Sequence, residues 1–152
     1  DMVKQASEFA GTVPVRHLLP YWKTSNRYLF SGGSVNMRDA AVYAKEENWS
    51  KAVELWKQTY ETKKGKQKMY AAYNTALGYE MQDSIDTALE WALKAQTLAR
   101  EKSKTDKKET GEIHDGTISY YIFISMYVDE LEKRKEGMAR LNMQMNRFDD
   151  DF

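Results

Sequence analysis

Residues 36–56, NMRDAAVYAKEENWSKAVELW, and residues 72–92, AYNTALGYEMQDSIDTALEWA, carry one pattern twice. Ala40-x2-Tyr43-x8-Ala52-x3-Trp56 recurs as Ala76-x2-Tyr79-x8-Ala88-x3-Ala92, displaced by 36 residues. Self-similarity at such a period marks a repeated supersecondary unit. Within each copy the apolar positions fall at helical spacing on both sides of a short polar break, at Glu47-Asn48 and at Asp83-Ser84. Breaks that short make neighbouring helices pack antiparallel. Small residues such as Ala40 and Ala52 let two helices approach closely, while Tyr43 and Trp56 fill the space where they diverge. A second hairpin with the same small and large positions stacks on the first and completes a core that neither buries alone.

Working outward, Met37, Ala40, Ala41, Tyr43 and Ala44 line the first helix, and Trp49, Ala52, Val53, Leu55, Trp56 and Tyr60 the second, which ends before Gly65. Tyr70, Ala72, Tyr73, Ala76, Leu77 and Tyr79 give a third helix over 67–80. Ile85, Ala88, Leu89, Ala92, Leu93, Ala95 and Leu98 give a fourth over 84–100, capped by Asp83-Ser84. The lysine-rich stretch 101–116 reads as a solvated connector. Residues 118–124 begin with β-favouring Ile118, Tyr120, Tyr121 and Ile122, so a buried strand is an alternative there. Tyr127, Leu131, Met138, Leu141 and Met145 continue a helical stripe, and the whole of 117–146 is therefore taken as one long helix, bent at Gly137, with 147–152 as a disordered tail.

Upstream, Met2, Val3, Ala6 and Phe9 have helical spacing and stop at Gly11. Residues 12–35 contain both prolines and the Ser31-Gly32-Gly33-Ser34 turn, yet also Leu18, Leu19, Tyr21, Trp22, Tyr28, Leu29 and Phe30. That is too apolar for a free linker. It predicts a packed flank with a helical segment over 21–30, Pro20 sitting in its first turn. The expectation is a single all-α domain of 152 residues: an N-terminal helical flank (1–35), two stacked antiparallel hairpins (36–100), the connector and the long C-terminal helix.

Composition narrows the function. Charged residues are 30% of the chain and evenly split, 23 basic against 23 acidic, which argues against nucleic-acid binding, where a basic excess gathers on one face. Cysteine is absent, removing thiol catalysis, disulfides and Cys-based zinc sites. No apolar run approaches the roughly 20 residues that span a bilayer. The chain starts at Asp1 without an initiator Met or signal peptide, and is read as a processed or excised piece of something longer.

The repeat resembles the tetratricopeptide repeat, whose signature places small and aromatic residues at these relative spacings. The resemblance spans 36–100 and implies stacked helical hairpins in an α-α superhelix with a concave binding face. The family's Trp-x2-Leu-Gly opening and closing proline are missing, and Glu47 and Asp83 replace its turn glycine. These departures put regular superhelical stacking in question. A second resemblance rests on Arg16-His17-Leu18-Leu19-Pro20-Tyr21-Trp22, Arg27-Tyr28-Leu29-Phe30 and Gly33, leading into Arg38-x-Ala40-Ala41-x-Tyr43-Ala44 and Trp49-x2-Ala52-x3-Trp56. This string is similar to the C-terminal helical region of uncharacterised cell-envelope lipoproteins from Bacteroidales. It implies periplasmic or outer-membrane residence and supplies no activity.

No catalytic constellation stands out. His17 and His114 are isolated, and neither a His-x3-His nor a His-Glu-x2-His pattern occurs, so no metal site and no cofactor are expected. Gly32-Gly33-Ser34 lacks the lysine spacing of a phosphate cradle, and no Gly-x-Ser-x-Gly elbow is present. Glu46-Glu47 and Asp149-Asp150-Asp151 lack calcium-loop spacing. Aromatics remain: Tyr21, Trp22, Tyr28, Tyr70, Tyr73 and Trp91 either line a sugar or peptide groove or pack the core. On the concave face of stacked hairpins, Arg38, Tyr73 and Asn74 are the groups offered to a partner, with Tyr21, Trp22 and Tyr28 on the flank. The expected function is a non-catalytic protein- or peptide-interaction module of a larger protein. A glycan-binding lipoprotein domain and a helical appendage of an upstream enzyme are the alternatives.

Overall fold

The computed structural model describes residues 9–17, 23–110 and 120–150, with side-chain surroundings for 27–104 and 120–148. The described chain is predominantly helical, as the periodicity predicts. Two strands, β1 (Phe9–His17) and β2 (Lys23–Phe30), precede five helices: α1 (Val35–Lys45), α2 (Trp49–Thr62), α3 (Lys66–Met81), α4 (Ile85–Thr110) and α5 (Tyr120–Asp150).

The 36-residue repeat is written into the backbone. Glu47 and Asp83, at equivalent positions, have φ of 60° and 61°. The Asn48 N–H reaches back to the Tyr43 carbonyl at 2.9 Å, and the Ser84 N–H reaches the Tyr79 carbonyl at the same distance. Glu47 donates to Ala44 at 3.1 Å, and Asp83 to Glu80 at 3.0 Å. A left-handed residue closing a helix lets these N–H groups satisfy carbonyls that the helix end leaves unpaired. The same turn thus closes α1 and α3. Ala40, Ala52, Ala76, Ala88 and Ala92 are fully buried, and so is Trp56.

α3 is the centre of the molecule. Every residue from Met69 to Gly78 is buried, because α2 and α4 flank it and β2 lies across a third side. At Gly78 a Cβ would run into the γ-methyl of Val53, with the Trp56 ring next, so α2 packs tightly on α3 where α3 has no side chain. α4 presents Ala88, Ala92, Ala95 and Ala99 inward, and α5 docks antiparallel to it through Ile124, Tyr127, Val128 and Leu131.

Three expectations change. Residues 23–30 form a strand where a helix was predicted. Thr24, Ser25, Asn26, Tyr28 and Phe30 are weak helix formers, and Thr12, Val13 and Val15 supply a β-branched partner strand. The pairing is antiparallel, with Val15 opposite Ser25 and His17 opposite Lys23, and the register shifts between Phe9 and Thr12. Pro14 is tolerated because β1 is an edge strand in a two-stranded sheet. Phe9 begins β1, while the rest of the helical segment predicted over 2–9, along with Tyr21, Trp22 and His114, lies outside the described residues. Next, α4 runs on to Thr110 through most of the charged connector. Extending a nucleated helix is far cheaper than starting one, so lysines and glutamates that would not fold alone continue it. Finally, the long helix expected over 117–146 is present from Tyr120, but α5 continues through Gly137 to Asp150, into the stretch assigned to a tail.

Candidate binding groove

Tyr70, Tyr73, Asn74, Leu77 and Glu80 recur at three- and four-residue steps and so share one face of α3. Across that face lies the end of β2. Its main chain is held by side chains: Asn74 Oδ1 accepts the Phe30 N–H at 3.1 Å, and Asn74 Nδ2 donates to the Phe30 carbonyl at 2.6 Å. One amide thereby supplies both partners that a neighbouring strand would offer. The Tyr73 hydroxyl donates to the Tyr28 carbonyl at 2.7 Å. Burial pushes the Tyr73 hydroxyl far above the ordinary tyrosine range, so it stays protonated and available as the donor.

Two side chains of the segment enter pockets. Phe30 is fully buried in an aromatic box, stacked on Tyr70 at 4.3 Å and edge-on to Tyr73 at 5.1 Å, with Tyr120 and Phe123 of α5 at 6.1 Å. Edge and offset-stacked rings are the arrangements the ring quadrupole favours. Tyr70 is held in turn by a 2.8 Å hydrogen bond to the Tyr120 hydroxyl.

Arg27, three residues earlier, meets Glu80 in a two-point pair, Nε to Oε1 at 3.1 Å and Nη2 to Oε2 at 3.2 Å. Glu80 is fully buried. Its Oε1 also accepts the Tyr127 hydroxyl at 3.0 Å, and its Oε2 faces Arg134 Nη1 at 3.3 Å. Arg134 further donates to the Glu80 carbonyl at 3.3 Å and pairs with Asp83 at 2.8 Å. Two arginines are thus matched by two carboxylates, which is what makes a buried charge tolerable. Burial works against the charge on Arg27, but the hydrogen bond and charge of Glu80 outweigh it and raise its pKa above the usual arginine value. Burial, reinforced by the Glu80 charge, lifts the Tyr127 hydroxyl well above its usual range. Both oxygens of the Glu80 carboxylate are committed to these partners. The cluster is arranged to hold a segment in place.

The sequence-predicted site residues divide. Tyr73 and Asn74 are together in this groove, buried beneath β2. Tyr28 lies in the segment they hold, 48% exposed, with its ring edge-on to Phe123 at 6.0 Å. Arg38 is exposed on α1 and takes no part in the contacts to β2 just described. Tyr21 and Trp22 lie outside the described residues. Sequence reasoning missed Arg27, Phe30, Glu80, Tyr127 and Arg134. One signal was available: Glu80 is the single charged residue between Lys68 and Asp83, in an otherwise apolar and neutral run. A lone charge in such a run calls for a partner from elsewhere in the chain.

Among the described residues, no cluster of three or more His, Cys, Asp or Glu side chains is placed to hold a metal ion, and no helix is long and apolar enough to cross a membrane. No curated protein and no solved structure shows a significant similarity to the chain. Residues 38–133 match a family model described as a domain of unknown function, DUF6340. That span covers well over half of the chain and takes in Tyr73, Asn74, Glu80 and Tyr127, so the chain belongs to the DUF6340 family.

Proposed function

We propose that this domain is a non-catalytic interaction module whose α3 groove receives an extended protein segment. One observation carries the reading: the Asn74 amide and the Tyr73 hydroxyl direct their hydrogen bonds to the main chain of residues 28–30. Recognition of main-chain groups by side chains fits any extended strand, and pockets for alternate residues then add selectivity. Here those pockets take an aromatic ring and an arginine. The repeated turns and close alanine crossings support tetratricopeptide-like hairpins as the platform. Residence in the cell envelope, drawn from the lipoprotein resemblance, belongs to the same proposal.

A fluorescent peptide with the sequence of residues 23–30 tests the groove. The host is the full chain carrying Arg27→Ala and Phe30→Ala, which weakens its own occupant. Fluorescence anisotropy should report saturable binding. Adding Asn74→Ala should weaken it about tenfold or more, since two hydrogen bonds of roughly 1 kcal/mol each are lost. Absence of binding to a variant that keeps its helical circular dichroism would sink the reading.

A further inference from the structure

We infer that the α3 groove also accepts the 27–30 segment of a second copy of this chain, giving a two-fold dimer in which each groove is completed by its partner's Arg27 and Phe30. The inference rests on the reading of that groove as a receptor for an extended segment, and adds the identity of the segment.

The groove selects a defined chemistry. It takes an arginine into a buried carboxylate and, three residues later, a phenyl ring into a box of four aromatic rings. Residues 27–30 of any copy supply both. Among the described residues, side chains of α3 hold this segment, and its strand partner there, β1, precedes it in the chain. β1 and β2 can therefore leave α3 together with their ladder intact.

The vacated groove is also prepared for exchange. When Arg27 withdraws, Glu80 keeps the Tyr127 hydroxyl and Arg134, so no buried charge is left alone. The connection to α1 is Ser31-Gly32-Gly33-Ser34. Gly32 has open space around it, and Gly33 sits at φ 116°, a conformation suited to glycine. Four residues reach about 13 Å when extended, so exchange brings the two bodies into contact. The groove's α5 rim is apolar there: Met126 is 60% exposed within one turn of Phe123. A partner's body would cover it. Exchange of an identical element in this way closes a two-fold dimer and leaves no unsatisfied surface to propagate.

The test uses the absence of native cysteine. Full-length chains carrying Tyr28→Cys and Phe123→Cys are mixed, unfolded in urea, refolded together at high concentration and treated with a short bis-maleimide. Tyr28 and Phe123 touch in the folded chain, so only exchange brings a cysteine of one variant beside that of the other. The mixed cross-linked dimer should exceed, by about tenfold, that from a control pair with Val42→Cys in place of Phe123→Cys, an exposed position on α1 outside the groove. Should Phe123→Cys lose its helical signal, Met126→Cys with a longer reagent takes its place. Cross-linking no greater than the control overturns the exchange. If the labelled 23–30 peptide still binds the Arg27→Ala/Phe30→Ala chain, the receptor reading survives that failure; if it does not, both fall.

Discussion

The two helical hairpins share one backbone and differ where it matters. The α1–α2 unit and the α3–α4 unit turn through the same left-handed residue and cross at the same alanines. Shifted by 36 positions, Met37 becomes Tyr73, Arg38 becomes Asn74 and Ala44 becomes Glu80. Those three changes convert a plain packing helix into the floor of a groove. The lesson is that the repeat supplies the platform, whereas the interaction chemistry sits in the departures from it. The second hairpin tolerates a buried carboxylate because β2 and α5 bring two arginines to it; in the first, the equivalent position is the buried, neutral Ala44.

The largest break in this comparison is Glu80→Ala, which makes the second hairpin match the first at that position. It leaves Arg27 and Arg134 without their shared carboxylate, and the expected loss is about 3–5 kcal/mol in urea unfolding. A loss below about 1 kcal/mol would mean the ion cluster does not hold the groove together. The next is the pair Asn74→Ala and Arg38→Ala. The first strands the buried Phe30 N–H and carbonyl and should cost about 2 kcal/mol. The second, at the equivalent exposed position, should stay within about 0.5 kcal/mol. Equal effects would erase the distinction between the two units.

The legible part of the fold was the part with short-range causes. Alanine spacing and the breaks at Glu47 and Asp83 revealed the hairpins. β2 was not legible, because Tyr28, Leu29 and Phe30 suit a buried helix or a strand alike. The choice is made by β1 and by Asn74, which are distant in sequence. The groove was half legible for the same reason. Tyr73 and Asn74 stood out on their helical face, but the Arg27–Glu80 pair joins residues separated by 53 positions, and no local pattern connects them.

The smallest prediction sharpens the likeness of the two turns. Glu47 pays a steric penalty for its φ of 60°, and Glu47→Gly should stabilise the chain by about 0.5–1 kcal/mol, a rise of a few degrees in melting temperature. Asp83→Gly should gain less or nothing, because Asp83 is the 2.8 Å partner of Arg134. Equal gains in thermal melting would show that the Asp83–Arg134 pair contributes nothing.

The 53-residue separation of Arg27 and Glu80 has a consequence during synthesis. At about 5–20 residues per second, the ribosome delivers Glu80 roughly 3–10 s after Arg27. Throughout that interval Leu29 and Phe30 are extruded with their receptor not yet made, an apolar strand end waiting beside whatever other nascent chains are near. The rate of translation thus sets how long this strand end stays uncovered, before any finished molecule exists.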